Sequence, residues 1–331
     1  MLHGCRNAPF KGGVPDRITG LSEKYRGRRS HGLTMSYQNM RELILTALRI
    51  QHKTIYRFRQ LVSLAPHRLM LRPRESRELR LMSHVLSIAP FAAMTWAHDV
   101  FGNAVAVAAF SGLASTLVID SVSDILLNAA AWPVFDIAAS ALSYPFRYSD
   151  DEWTDLGALT VAQYPDPAER LQKWARGFVR SNPTDTLSLL KDLNAGVAQR
   201  VQYQSREVEG TQSPNDTLDR GWGSCRDFAV LFTEAARKLG FGARLVSGYL
   251  HDPKHDLVGS AEAGSTHAWA EVFVPGAGWI TFDPTNRSVG GRNLIPVAVA
   301  RDISQCTPVS GSYFGVSDNF LSMDVTVSVT S

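Results

Sequence analysis

Two thirds of the way along the chain the sequence reads Gly221-Trp222-Gly223-Ser224-Cys225-Arg226-Asp227-Phe228. Ser224 and Asp227 have the spacing of a capping box, in which a serine before the helix and an acid three residues later satisfy free backbone amides. Cys225 is then the first helical residue. Gly240 is typical of a left-handed helix terminator, so the sequence predicts a helix over residues 225–239.

This placement makes Cys225 a candidate nucleophile. The unpaired amides and the positive dipole end of a helix stabilise an anion, which lowers the pKa of a thiol there. A thiolate is a nucleophile, and the same amides can bind an oxyanion. The alternative is that Cys225 is a small buried hydrophobe, the commonest role of a lone cysteine. The residues that surround Cys225 must therefore decide whether it is a nucleophile or a buried apolar residue.

Candidate partners lie on two predicted strands. His267 begins the first strand, residues 267–274, and Asp283 ends the second, residues 279–283, with a hairpin turn at Pro275-Gly276-Ala277-Gly278. The two residues are 16 apart, so they share a face only if the loop is effectively odd or a bulge shifts the register. We expect such an irregularity, which lets the carboxylate orient the imidazole toward Cys225. A structural histidine and an aspartate that starts a turn at Asp-Pro are the alternative.

The flanking sequence predicts an α+β fold. Alternating apolar and polar residues predict strands over residues 49–60, 68–71, 81–88, 92–98, 104–110 and 117–122. A helical period follows, with Asp166 as cap and Pro167 at the first helical position, and a second helix opens at Thr184. A strand over residues 243–250 then precedes the two strands above, so the second half combines helices with an antiparallel sheet.

Length and charge set further limits. The chain has 331 residues, which suggests roughly two domains. We expect a disordered basic tail or over-extended start over residues 1–40, a β-rich domain over 41–140, a catalytic core over 141–305 and a C-terminal strand extension over 306–331. The net charge of +3 arises in the tail, which carries seven Lys/Arg and two acids; the remainder is 27 minus 29, or −2. Nucleic-acid binding is therefore not favoured.

The cysteines, the apolar runs and two histidines bear on the location of the protein and on metal binding. Three cysteines, Cys5, Cys225 and Cys306, are too few for a disulfide framework, so we expect a reducing, cytoplasmic location. Neither a secretory signal nor an apolar run of membrane-spanning length is visible. His251 and His255 are four apart, but Asp252-Pro253 between them favours a loop, so we expect no metal site and no cofactor.

The motifs as a set resemble the bacterial branch of the transglutaminase-like superfamily, whose core is papain-like. The matching segments are Gly210-Thr211-Gln212-Ser213-Pro214, Gly223-Ser224-Cys225-Arg226-Asp227-Phe228, Val246-Ser247-Gly248-Tyr249, Thr266-His267-Ala268-Trp269-Ala270-Glu271 and Gly278-Trp279-Ile280-Thr281-Phe282-Asp283-Pro284-Thr285-Asn286. Two earlier segments, Ser63-Leu64-Ala65-Pro66-His67-Arg68-Leu69 and Leu71-Arg72-Pro73-Arg74, resemble the β-rich region that precedes the core in this branch. The resemblance covers roughly residues 48–315.

The resemblance implies a Cys-His-Asp triad, with Cys225 as nucleophile, His267 as general base and acid, and Asp283 as orienting carboxylate. It also implies that Trp222 and Trp269 line the acyl site, although either could simply pack in the core. Gln212 would donate to the oxyanion, unless it is only a turn residue.

The implied function is thiol-dependent acyl transfer on amide or peptide bonds of a peptide or protein substrate. If water accepts the acyl group the protein is a cysteine peptidase or amidase, which we favour slightly because water needs no second pocket. If an amine accepts it, the protein is a transglutaminase. A non-catalytic peptide-binding module, using the cleft between the β-rich domain and the core, is the hypothesis of another class.

Overall fold

The computed structural model describes residues 45–130, 133–206, 210–254, 256–259 and 264–331. The tail predicted over residues 1–40 lies outside the described residues. The described residues all belong to one compact unit. Among them no helix is long and apolar enough to cross a membrane.

The first part is β-rich, as predicted. Its strands are β1 (Thr46–Leu64), β2 (His67–Leu69), β3 (Leu79–Ala89), β4 (Ala92–His98), β5 (Ala104–Phe110) and β6 (Leu113–Leu127). The strands β4 and β5 have the predicted bounds, whereas β1, β3 and β6 extend beyond the predicted ones. They extend because polar residues on the solvent side continue the alternation; in β1, every second residue from Leu48 to Thr54 is buried.

These strands form two sheets that face each other. One has the order β3-β6-β1, all antiparallel, and the other pairs β2, β5 and β4. Phe58, Leu117 and Ile119 from the first sheet pack against Leu69 and Ala106 from the second. The result is a small sandwich with its own apolar core.

Among the described residues, five α-helices and four two-residue strands follow. They are β7 (Ser143–Tyr144), α1 (Asp150–Leu156), α2 (Arg170–Arg176), β8 (Thr184–Asp185), α3 (Thr186–Arg200), β9 (Gln202–Tyr203), α4 (Pro214–Arg220), β10 (Trp222–Gly223) and α5 (Cys225–Lys238). The helix α5 confirms the prediction to within one residue, and Gly240 has φ +90°, the left-handed conformation expected of a terminator.

The predicted starts of α2 and α3 were wrong. The helix α2 begins at Arg170 rather than Pro167, yet Asp166 still caps it, since its carboxylate accepts from the amides of Arg170, Leu171 and Gln172 at 2.9–3.2 Å. Thr184 does not open α3, because its backbone pairs with Tyr144 in a short strand. Asp185 caps α3 instead, accepting from the Ser188 amide at 2.7 Å.

A further sheet, separate from the two sheets of the sandwich, carries the predicted site. Its strands are β11 (Ala243–Leu250), β12 (Ser265–Val274), β13 (Gly278–Asp283), β14 (Ser288–Val289) and β15 (Leu294–Ala300), in the order β14-β13-β12-β11-β15. The helix α5 packs against this sheet, with Phe228 and Phe232 in a core shared with Ala270, Val272 and Phe282. The α+β fold class is confirmed.

The last strands return to the first part of the chain. They are β16 (Val309–Ser310), β17 (Tyr313–Phe314) and β18 (Phe320–Thr330). The strand β18 lies antiparallel to β1, with Arg49 opposite Thr330 and Phe58 opposite Phe320. The domain boundaries at residues 140 and 305 stay a prediction.

Candidate active site

Cys225 lies at the first residue of α5, as the capping motif predicts. Ser224, the N-cap, has extended backbone angles, and the Asp227 carboxylate accepts from its amide at 2.8 Å and from its hydroxyl at 2.9 Å. The backbone amide of Ala268 on β12 also donates to the thiol. Cys225 is thus fixed between a helix N-terminus and the strand that carries His267, and its side chain is partly exposed.

His267 and Asp283 form a buried pair. The Nε2 atom of His267 lies 2.9 Å from Oδ2 of Asp283, and the two residues are 2% and 1% exposed. The strands β12 and β13 pair in a regular register from Ala270↔Phe282 to Val274↔Gly278. The three-residue turn 275–277 is odd, and an odd turn is one of the two conditions under which both side chains share a face. No bulge interrupts this pairing.

Opposing effects set the pKa values of the three residues. Burial alone would raise the pKa of the Cys225 thiol, but the hydrogen bond and charge of His267 outweigh it and lower that pKa below its usual range. Burial opposes charge on His267 too, yet the Asp283 carboxylate raises the imidazole pKa to about 10. Burial would raise the pKa of Asp283, and the charge and hydrogen bond of His267 lower it. Together these shifts favour thiolate, imidazolium and carboxylate.

Two protein-family models match consecutive parts of the chain. The model of the bacterial transglutaminase-like N-terminal region matches residues 48–125, and the model of the transglutaminase-like superfamily matches residues 172–284. The chain belongs to the transglutaminase-like superfamily. The second match spans all three residues of the buried cluster, and the first covers nearly all of β1 to β6.

The chain is also similar to two mycobacterial proteins and to a solved structure. An uncharacterized protein of Mycobacterium tuberculosis is 28% identical over 300 residues, 85% of this chain and 91% of that protein. A second, of Mycobacterium leprae, is 36% identical over 115 residues, 35% of this chain and 40% of that protein. A crystal structure from Cytophaga hutchinsonii, described as a candidate cysteine protease, covers 87% of this chain and 91% of its own at 20% identity and a TM-score of 0.66. At that identity the likeness establishes the fold.

The structure places the three residues predicted to line the transglutaminase-like site at different depths. Trp222 is half-buried in β10, three residues before the cysteine. Trp269 is only 1% exposed; it stacks on His267 with ring centroids 6.1 Å apart and packs with Val246 and Leu294. Contact with substrate for either tryptophan stays a prediction.

Gln212 lies beside the start of α5. Its backbone amide donates to Asp227 at 2.7 Å, and its side-chain Nε2 makes only a long 3.4 Å contact with the carbonyl of Trp222. Its Oε1 atom is buried and has no partner among the described residues. The side-chain amide is thus weakly engaged, and its donation to an oxyanion stays a prediction.

Sequence reasoning did not single out Asn286. Its side-chain Nδ2 donates to Oδ2 of Asp283 at 2.8 Å, and its Oδ1 accepts from the amide of Val258 at 2.8 Å. The amides of Thr285 and Asn286 also donate to Oδ1 of Asp283, at 3.0 and 3.3 Å. The only signal was the Asp-Pro-Thr-Asn turn, because an aspartate that starts a turn accepts from amides two or three residues on.

Tyr203 was missed as well. Burial and then the Cys225 charge raise its pKa, so the phenol lies within electrostatic reach of the thiol. A Cβ at Gly259 would lie 2.9 Å from the Tyr203 hydroxyl, which places Gly259 itself close to the site. Nothing in the local sequence distinguishes this tyrosine from a core aromatic residue.

The other described cysteine has the opposite character. Cys306 is buried, donates to the carbonyl of Ile303 at 3.3 Å, and has a pKa that burial raises to about 12. His255 lies outside the described residues, and those residues contain no cluster of three His, Cys, Asp or Glu side chains that could hold a metal.

Proposed function

We propose that the protein transfers the acyl group of an amide or peptide bond through Cys225, with water as the acceptor, and so acts as a cysteine peptidase or amidase. The observation that carries the proposal is the geometry of the site: Cys225 lies at the N-terminus of α5 beside His267, and the buried carboxylate of Asp283 holds the imidazole at 2.9 Å. This pairing makes a nucleophile and a proton donor at neutral pH.

The steps follow from these roles. The Cys225 thiolate attacks the carbonyl carbon of the substrate, and the C–N bond breaks as the leaving amine takes a proton from the His267 imidazolium. The resulting thioester is attacked by water, which gives one proton to His267. The C–S bond then breaks, the carboxylic acid leaves, and thiolate and imidazolium are restored. Asp283 stabilises the imidazolium throughout.

Oxyanion stabilisation comes from donors close to the sulfur. Backbone amides at the start of α5 have no partner within the helix. The side-chain Nε2 of Gln212 is the second donor, because its long contact with Trp222 leaves it available. Such donors contribute about 10²–10³ in rate in well-studied enzymes. The nucleophile must stay reduced, in agreement with the cytoplasmic location that the sequence predicts.

A panel of peptide amides, assayed with and without a primary amine, tests the proposal. We expect acid and amine products in water alone, and a loss of at least about 10² in rate in Cys225→Ala and in His267→Ala. Cys306→Ala is the matched control, because it removes a buried thiol that has no histidine partner, and it should retain activity.

Each other outcome assigns a different function. Product formation that depends on the amine, with negligible hydrolysis, would show a transglutaminase. Peptide binding that is equal in the wild type and Cys225→Ala, without turnover, would show a binding module.

A further inference from the structure

Tyr203 is fixed to the segment of the chain that presents Cys225. Its strand β9 runs parallel to β10, and Tyr203 pairs there with Gly223, two residues before Cys225. Its ring packs edge-on against Phe228 on α5, with the ring centroids 6.3 Å apart. The backbone and the ring of Tyr203 are therefore both held beside the start of α5.

The hydroxyl end of Tyr203 reaches the chain on the other side of the site. A Cβ at Gly259 would lie 2.9 Å from the hydroxyl oxygen, so the phenol lies directly against the Gly259 backbone. The Gly259 carbonyl accepts from the Ser265 hydroxyl at 2.8 Å, and Ser265 begins the strand that carries His267 two residues later. Tyr203 thus extends from the side of the site that holds α5 to the side that holds β12.

Hydrogen bonds also tie the chain next to Gly259 to the buried carboxylate of the site. Asn286, whose Nδ2 donates to Asp283, accepts from the Val258 amide at 2.8 Å and donates to the Val258 carbonyl at 3.4 Å. Gly259 itself has φ +79°, a conformation that favours glycine, and it leaves the space that the phenol occupies. The position of the Tyr203 hydroxyl is therefore set by contacts on both sides of the site.

The described residues leave this hydroxyl without a hydrogen-bond partner. Burial, followed by the charge of Cys225, raises the pKa of the phenol, and no other charged group in the described part of the chain acts on it. Tyr144, another half-buried tyrosine of the same core, shows the usual arrangement, because its hydroxyl donates to the Leu239 carbonyl at 3.0 Å. Tyr203 instead has a donor and an acceptor that the resting site does not use.

We infer that Tyr203 is a substrate-binding residue, whose hydroxyl hydrogen-bonds a main-chain amide of a peptide next to the bond that Cys225 attacks. The inference rests on the proposed function for the class of substrate, and it adds that an amide flanking the scissile bond is recognised. A phenol suits this role because it can donate to a carbonyl or accept from an N–H. A ligand without a flanking amide leaves the hydroxyl unpaired, so the site selects peptides over simple amides.

Two pairs of thiol reagents test the inference, one for each side of the scissile bond. Iodoacetyl-trialanine amide carries a peptide on the leaving-group side, and iodoacetamide is the same reagent without the peptide. Acetyl-trialanyl chloromethyl ketone carries a peptide on the acyl side, and chloroacetone lacks it. Each reagent forms a C–S bond to Cys225 as its halide leaves, so none of them requires acyl transfer. Mass spectrometry of the full chain gives, for each pair, the ratio of the alkylation rate constant with the peptide to that without it.

Removal of the two tyrosine hydroxyls should have opposite effects. In the unsubstituted protein we expect the peptide to accelerate alkylation at least about fivefold for one or both pairs, and Tyr203→Phe should lower that ratio about fivefold, as the loss of one hydrogen bond predicts. Tyr203→Phe should leave the urea midpoint unchanged, because the resting site makes no bond to this hydroxyl. Tyr144→Phe is the matched control: it loses the bond to Leu239, so the urea midpoint should fall while the ratio stays the same.

A second variant displaces the hydroxyl without removing it. Gly259→Ala places a methyl group 2.9 Å from the Tyr203 hydroxyl, so the phenol must shift and the ratio should fall as it does in Tyr203→Phe. Gly102→Ala is its control, because Gly102 also has a positive φ, +71°, but nothing lies within 4 Å of the added Cβ. It should leave the ratio unchanged.

Three results would overturn the inference: no acceleration by either peptide in the unsubstituted protein, a ratio that Tyr203→Phe leaves unchanged, or an equal fall of the ratio in Tyr144→Phe. A Cys225 that reacts with neither iodoacetamide nor chloroacetone near neutral pH would overturn the proposed function, and the inference with it. The reagents without a peptide therefore distinguish a failure of the nucleophile from a failure of Tyr203 to bind substrate.

Discussion

At the scale of single residues, the chemistry of Cys225 depends on a balance between burial and pairing. Burial acts against a thiolate at both described cysteines. Only Cys225 has a neighbouring imidazole that can carry a positive charge, and only its pKa is lowered. The same helix position without His267 would therefore give a thiol of higher pKa than Cys225 has now.

The pH dependence of alkylation tests this balance. An ordinary thiol is half-ionised at about pH 8.5. Because the pKa of Cys225 is lowered, we expect its iodoacetamide reaction to reach half its maximal rate clearly below that pH, whereas Cys306, with a pKa raised to about 12, stays unreacted. In His267→Ala the hydrogen bond and charge of the imidazole are lost while the Ala268 amide and the Arg226 charge remain, so the midpoint should move to higher pH than in the wild type.

Mass spectrometry of the separate cysteine peptides provides the measurement. Cys225 reacting with the pH profile of an ordinary thiol, or a profile that His267→Ala leaves unchanged, would contradict the assignment of His267 as its partner.

Asn286 is a positioning residue for Asp283. Asn286→Ala removes the 2.8 Å side-chain hydrogen bond to Oδ2, which helps to keep the pKa of Asp283 low. The carboxylate then holds His267 less firmly, so we expect kcat to fall about tenfold and the alkylation midpoint of Cys225 to rise. Thr285→Val is the control, since the Thr285 hydroxyl has no hydrogen-bond partner among the described residues and its amide is retained. An unshifted midpoint in Asn286→Ala would leave Asn286 with only a structural role.

At the scale of elements, the start of α5 depends on one buried carboxylate. Asp227 is fully buried and accepts from Ser224 twice, from the Gln212 amide at 2.7 Å and from Arg206 at 3.0 Å. It therefore joins the segment around Gln212 to the helix end that presents Cys225.

Replacement of Asp227 should be costly. Asp227→Ala leaves Arg206 without its carboxylate partner in a site where that side chain is 15% exposed, so we expect the free energy of unfolding to fall by about 3–5 kcal/mol. Asp216→Ala in α4 is the matched control: Asp216 also follows its N-cap serine by three residues, but it is exposed, and its loss should cost about 1 kcal/mol. Urea denaturation measures both, and similar costs for the two variants would be inconsistent with this role for Asp227.

At the scale of the whole molecule, β18 joins β1 to the sheet that carries the site. Val327 and Val329 pack in one cluster with Ile50 of β1 and with Tyr249 and Ile295 of the sheet that carries His267. A Cβ at Gly264 would lie 2.9 Å from the backbone nitrogen of Val329, so β18 also abuts the chain just before β12. The C-terminal strand thus contributes to the core that positions His267.

Substitutions along β18 should separate these contacts from simple strand pairing. Val327→Ala and Val329→Ala each remove two buried carbons and should lower the free energy of unfolding by about 1.5–3 kcal/mol. Met323→Ala and Val325→Ala, at 49% and 47% exposure on the same strand, should change it by less than about 0.5 kcal/mol. Equal effects at the inner and outer positions, measured by urea denaturation, would contradict the packing described.

What the sequence by itself determined was local. The bounds of α5, β4, β5 and β11 follow from capping residues, a glycine terminator and alternation, all of which act within a few residues. The same locality explains why Cys225 could be placed at a helix N-terminus. The start of α3 could not be predicted, because Thr184 pairs with Tyr144, 40 residues earlier in the chain. The start of α2 was also wrong, although its cap Asp166 was predicted, because the carboxylate accepts from amides four to six residues on and the helix begins only at Arg170.

Only the tertiary structure decided what surrounds these residues. The odd turn that aligns His267 with Asp283 and the support of Asp283 by Asn286 depend on pairings between separate strands and loops. The direction of each pKa shift likewise depends on which of two opposing effects is larger, burial or pairing, and both exist only once the chain is folded. A sequence names the groups that can ionise, but their distances and exposure to water set their charge.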